Sequence, residues 1–234
     1  MFIIPPQAKG GGKMTRARYI SSSIALYLLW SFFVLYPNPA MFFSSIPRAI
    51  SPPIDEQAVA DMASKLPDDP AAIESAVNSY IRYEVPWQTY NVPWYFPTVS
   101  EALANRAGDC QARMIVFASI LEYKNMPYKL RYSLDHAWVE YPRKKPNLLE
   151  KRSLSVMVSD GKSMKLSIPK QVQWKETYRI RKQLWWDYMP MEKRILMLLG
   201  LPVVVFRRKI YALFGRASRA FISMPRWVKI TNRL

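Results

Sequence analysis

Among the side chains able to act as nucleophile or base, this 234-residue chain holds one thiol and one imidazole. Cys110 stands in Ala107-Gly108-Asp109-Cys110-Gln111, and His136 follows 26 residues later in Asp135-His136-Ala137-Trp138-Val139-Glu140. A cysteine becomes a nucleophile when a base within hydrogen-bond reach takes its proton, and histidine titrates near neutral pH. Coincidence is the competing explanation: one cysteine and one histidine must fall somewhere, and a lone cysteine is often buried and inert. Position favours chemistry. Asp109 is a good N-cap, so Cys110 enters the first turn of a helix, where the dipole and unsatisfied N–H groups should lower the thiol pKa. Those N–H groups can also help to hold an oxyanion. His136 opens a strand, a rigid base from which an imidazole can reach across to a helix start. A third group should orient that imidazole. Asp160, ending the strand in Val156-Met157-Val158-Ser159-Asp160-Gly161, is the choice. Asp135 is a poor one, because neighbouring strand residues point to opposite faces.

The elements that must carry these groups can be read from the pattern. Ile54–Leu66 is a plausible helix. Asp69-Pro70 caps and opens another, to about Tyr83. Val85–Pro97, dense in proline and aromatics, reads as an ordered loop. Thr98-Val99-Ser100-Glu101 is a capping-box pattern opening a short helix that Gly108 should stop. From Cys110 the pattern stays helical to about Lys124, with Met114, Phe117, Ala118 and Leu121 on one face. Strand-like runs follow at Tyr128–Leu134, His136–Tyr141, Ser153–Val158 and Met164–Ile168. Lys129, Arg131 and Ser133 alternate with Leu130, Tyr132 and Leu134, as in a half-buried antiparallel strand. Helices followed by an antiparallel meander make an α+β domain. Trp138 and Tyr141 read as core residues, and Arg143-Lys144-Lys145 as a solvated turn.

At R-x-G-D-C with its following helix, H-A-W-V-E-Y, and a strand ending in aspartate, the chain resembles the transglutaminase-like superfamily, a papain-like cysteine fold. The resemblance covers about residues 70–168. It implies Cys110 as nucleophile, His136 as general base and acid, and Asp160 as the orienting acid. It also implies an oxyanion donor from upstream, with Gln88 and Trp94 as candidates. No cofactor is implied, and a single cysteine excludes an intrachain disulfide and any multi-cysteine metal site.

The net charge of +17 is unevenly placed. Residues 1–18 carry four cations and no acid, residues 19–169 are almost balanced, and residues 170–234 hold 15 cations against three acids. A nucleic-acid-binding domain would carry the excess on its folded body, so no nucleic-acid partner is expected. Flanks of a membrane segment fit better. No charge interrupts Tyr19 to Pro47, and about 20 helical residues cross a bilayer core of about 30 Å, so Tyr19–Phe43 can span. A cleaved signal peptide and a buried core helix are the competing readings. The cations before the span place the N-terminus in the cytoplasm and the domain outside, in a single-pass arrangement.

The expected organisation is a basic leader (1–18), a transmembrane anchor (19–43), a linker and first helix (44–69), the transglutaminase-like domain (70–168) and a basic tail (169–234), with the proline-rich stretch 37–53 reading as a juxtamembrane linker. Ile195–Phe206 is apolar but only about 18 Å long as a helix, too short to span. Beyond it Ile210, Phe214, Ala217 and Phe221 share a helical face, the pattern of a basic amphipathic helix in a membrane interface. Expected partners are therefore membrane lipids, through Tyr19–Phe43 and the tail, and a peptide or protein substrate. Two functions stay open. One is a membrane-anchored cysteine enzyme working through a thioester, with hydrolysis and transamidation both possible. The other is a non-catalytic accessory or scaffold subunit of a larger membrane complex.

Overall fold

Pro37 and Pro39 end the first helix, α1 (Arg16–Leu35), because proline disfavours helix in the residue before it and has no N–H to donate. The computed structural model describes residues 16–145, 150, 152–159, 164–166 and 174–207. From Arg18 to Leu35, α1 is long and apolar enough to cross a membrane by length and composition. The apolar run to Phe43 is not one span, however. Asn38 caps a second helix, α2 (Pro39–Ile50), its side chain accepting the Ala40 amide at 3.1 Å with Pro39 in the first helical position. The stretch 37–53, expected as a linker, is thus mostly helix: the prolines that stop α1 also start α2. Ser45 docks α2, donating to the Met41 carbonyl at 2.7 Å and accepting the Phe96 amide at 2.9 Å.

Asp55, inside the stretch expected as a helix, caps α3 (Glu56–Ser64), and Asp69 caps α4 (Pro70–Tyr80) as its signature predicts. A two-residue strand β1 (Arg82–Tyr83) and a single turn α5 (Pro86–Thr89) follow. The Thr98–Glu101 capping box opens α6 (Val99–Asn105). That helix is ended by Arg106, in the left-handed region at φ 50°, and not by Gly108. Gly108 instead belongs to β2 (Ala107–Gly108), paired in parallel with β1. Glycine is needed there for closeness: a Cβ would lie 2.4 Å from the Ala112 Cβ.

Next comes α7 (Cys110–Tyr123), the hub of the domain. It meets α3, α4, α6 and the sheet, so every residue from Met114 to Leu121 is buried. The single apolar face expected for it is therefore incomplete; a helix surrounded by partners needs none. Its one buried hydroxyl, Ser119, donates to the Ile115 carbonyl at 2.8 Å and accepts the Asp55 amide at 3.0 Å. Ile73, Val77, Phe96, Ile115, Ile120 and Leu130 complete the interior. Each buried side chain of this size contributes about 1.5–3 kcal/mol against exposure.

The sheet consists of β3 (Lys129–Tyr132), β4 (Ala137–Glu140), β5 (Met157–Ser159) and β6 (Met164–Leu166), all antiparallel. Its order is β4-β3-β5-β6 and not a simple meander, because the chain passes from edge strand β4 to the far side of β3. Ser153, expected in a strand, lies in a 3₁₀ turn (Arg152–Leu154). α8 (Trp174–Lys182) and a π-turn (Gln183–Asp187) precede the last described helix, α9 (Met191–Val205).

Two compact units result. Leu35–Lys193 form one, which takes in more than residues 70–168. The described residues before Leu35 and after Lys193 form the other, in which α1 and α9 pack antiparallel. Tyr19 donates to the Val205 carbonyl at 2.6 Å, and the Trp30 indole to the Leu196 carbonyl at 3.0 Å. Ile195–Phe206, expected to be too short to span, thus has a helix partner. Ile210, Phe214, Ala217 and Phe221 lie outside the described residues.

Candidate active site

Asp109 fixes where the thiol sits. Its Oδ1 accepts the Gln111 amide at 2.9 Å and the Ala112 amide at 3.3 Å, which starts α7 at Cys110. The β1–β2 bridge holds the preceding residues: the Glu84 amide reaches the Gly108 carbonyl at 3.0 Å. Arg113, one turn along α7, donates to the Ile81 carbonyl and lies 5.2 Å above the Tyr83 ring, which fixes Tyr83 beside the thiol.

His136 ends the tight connection from β3 to β4. The Ser133 hydroxyl accepts its amide at 3.0 Å, and the Ser133 amide donates to its carbonyl at 2.8 Å. Two residues on, the Trp138 ring lies nearly parallel to the imidazole, with centroids 5.9 Å apart. The cysteine and histidine are brought together, lining the same two cavities of about 210 and 220 Å³. Those cavities also share Tyr83 and Ala137, so they meet at the thiol and imidazole.

The acid beside the imidazole is one the sequence did not single out. Glu150 Oε1 stands 3.7 Å from His136 Nε2, while its Oε2 is 3.1 Å from Lys144 Nζ. Lys144 also donates to Glu74 at 2.7 Å and to the Val139 carbonyl at 2.9 Å, and Tyr141 donates to Glu74 at 2.9 Å. Lys144 was expected in a solvated turn; it is folded under β4 with only 9% of its side chain exposed. Burial acts to raise the Glu150 pKa, but His136 and Lys144 outweigh it and hold the carboxylate below its ordinary range. The one available signal was an acid set within a run of cations, Arg143 to Arg152. Asp160 lies outside the described residues. Asp135 lines the cavity of about 210 Å³, its Oδ2 accepting the Thr177 hydroxyl at 3.0 Å.

Of the two oxyanion candidates, Trp94 lines the cavity of about 210 Å³ with Gln111, to whose side-chain oxygen its indole donates at 3.3 Å. Gln88 closes its own turn instead, accepting the Val85 amide at 3.2 Å. The thiol departs from expectation. Burial, and then the Asp109 carboxylate, push Cys110 up to about 12, while the Ala137 and first-turn amides pull weakly the other way. The helix start does not lower it on balance, because burial and the negative cap, which also holds the Gln111 and Ala112 amides, outweigh those amides. Asp109 is itself raised to about 6 by burial.

The chain matches no family model, no curated protein and no solved structure. A thiol and an imidazole lining the same two cavities, with a carboxylate beside the imidazole, are the groups that covalent attack on an acyl carbon uses. Among the described residues no three histidine, cysteine, aspartate or glutamate side chains cluster as a metal site would require.

Proposed function

We propose that this chain is a membrane-anchored cysteine acyl-transfer enzyme with a transglutaminase-like, papain-like core. The observation that carries this reading is the meeting of Cys110 and His136 at two adjoining cavities, with Glu150 behind the imidazole. The cavities give an extended peptide room on both sides of the reacting carbonyl. Because the thiol rests protonated, proton transfer accompanies attack. The Sγ proton passes to His136 as Sγ bonds to the carbonyl carbon. The imidazolium then returns the proton to the departing nitrogen, leaving a thioester and a free amine or ammonia. Water or a second amine releases the acyl group. Glu150 acts as a positioning residue that holds the imidazole and stabilises its charged form. Residues 1–18, with four cations and no acid, support a cytoplasmic N-terminus and a domain on the outer side.

The test is incorporation of a fluorescent primary amine into a glutamine-rich protein, run beside release of ammonia or new amino termini. Either activity in the full-length protein, lost in both Cys110→Ala and His136→Ala, is the expected result. The accessory-subunit reading draws on the raised thiol pKa, since a thiol held at about 12 is unreactive at rest. Absence of both activities, with the protein folded, would favour it.

A further inference from the structure

The α1–α9 pair carries its polar atoms in a way that water does not require. Tyr27 donates to the Met197 carbonyl at 3.4 Å and Trp30 to the Leu196 carbonyl at 3.0 Å, both in the middle of an otherwise apolar run. Ser22 and Ser23 turn their hydroxyls back onto the Tyr19 carbonyl at 3.0 and 2.8 Å. Self-satisfaction of this kind is what a hydrocarbon surrounding demands, since nothing there replaces water. The central Trp30, badly placed for an interfacial belt, is explained by its partner helix.

Close approach is built in. A Cβ on Gly200 would lie 2.2 Å from the Trp30 indole nitrogen, so only glycine admits the ring at that point. Small residues at helix contacts are how helices associate in lipid. Meanwhile Ile24, Leu28 and Phe33 on α1, with Leu198, Leu201 and Val203 on α9, stay about half exposed or more. This apolar surface runs along the pair and exceeds what a water-facing helix normally shows.

The two helices are matched in extent. Lys193, opening α9, donates to the carbonyl of Leu35, the last residue of α1, at 3.3 Å. At the opposite end Arg207 bonds Ser22 and lies 4.7 Å above the Tyr19 ring. Lys193 to Arg207 thus covers about 21 Å of rise beside about 24 Å from Tyr19 to Leu35. No charge lies between Arg194 and Arg207. A span this short is accommodated by local thinning of the bilayer and by Lys and Arg side chains reaching outward from the ends.

Charge gives the direction. From Arg207 onward the chain carries eight cations and no acid, and residues 1–18 carry four and no acid. A single span would put these two basic segments on opposite sides, against the usual bias for cations in the cytoplasm. We infer that α9 crosses the bilayer beside α1, with lipid acyl chains covering the exposed apolar surface and both chain ends on the cytoplasmic side. The short length of Ile195–Phe206, which by itself argues against a span, is offset by the helix it pairs with.

The test uses the full-length protein with a different epitope tag at each end, in sealed membrane vesicles of both orientations. Protease added outside should remove both tags together in inverted vesicles and attack the Leu35–Lys193 domain in right-side-out ones. A C-terminal tag digested with the domain would mean that α9 does not cross. Both tags and domain digested from one side would mean that the pair lies on the surface or is covered by protein. Either result overturns the inference. No catalytic readout enters, so loss of the enzymatic reading would leave this test unaffected.

Discussion

Asp109→Asn separates the two jobs of the residue before the thiol. Burial and the Asp109 carboxylate hold Cys110 at about 12, against 9.0 for an ordinary thiol. At pH 8 the ordinary thiol is about one-tenth thiolate and Cys110 about one part in ten thousand. Only the thiolate is alkylated, so iodoacetamide should modify the resting protein about a thousandfold more slowly than free cysteine, with the rate still climbing about tenfold per pH unit near pH 10. Asparagine keeps the cap, because its side-chain oxygen can accept the Gln111 and Ala112 amides, but it removes the charge. Alkylation of the variant at pH 8 should be at least about tenfold faster than in the wild type, about 1.4 kcal/mol in favour of the thiolate. Stability should respond as well. Burial holds Asp109 at about 6 in the folded protein against an ordinary 3.8. The folded state therefore keeps its proton to higher pH than the unfolded chain does, and stability falls as pH rises through that window, by at most about 3 kcal/mol. Denaturation in detergent should show this slope in the wild type and a flatter one in the variant. Wild-type alkylation at the rate of free cysteine, levelling off below pH 9 and unchanged by the substitution, would refute the reasoning.

If the acyl-transfer reading holds, Glu150→Gln should lower kcat by about two to four orders of magnitude with little change in KM, because it orients His136 without touching substrate. A larger loss in Asp160→Ala, assayed beside it, would transfer the orienting role to that residue. Gly108→Ala should destabilise the domain by roughly 1–3 kcal/mol in a chemical denaturation curve, since the new Cβ would meet Ala112 at 2.4 Å. Adding Ala112→Gly should recover part of that loss, and strict additivity of the two changes would show that this contact is not the cause.

What the sequence revealed was local. Asp69, Thr98 with Glu101, and Asp109 cap helices wherever they were expected to, because a cap is decided within four residues. The first strand of the sheet was visible in its alternation and the others as strand-like runs, yet their order was not, since β3 pairs with both β4 and β5 across intervening chain. Cys110 and His136 stood out by rarity and by position at element starts. Glu150 and Lys144 did not, because a cation run looks solvated until the fold tucks one member beneath a strand. The thiol's high pKa was missed for a related reason: the helix start was read without the charge of its own cap. Two prolines concealed α2, which they both delimit and begin.

The pairing of α1 with α9 also imposes an order of events on biosynthesis. Tyr19 and Val205 are 186 residues apart in sequence. At about 5–20 residues per second, roughly 10–40 seconds separate the synthesis of one from the other. During that interval Tyr27 and Trp30 lack the carbonyls of Met197 and Leu196, while the whole Leu35–Lys193 unit has already been made. The domain therefore has time to fold before the helix pair can close, and closure waits until Met191–Val205 has been made.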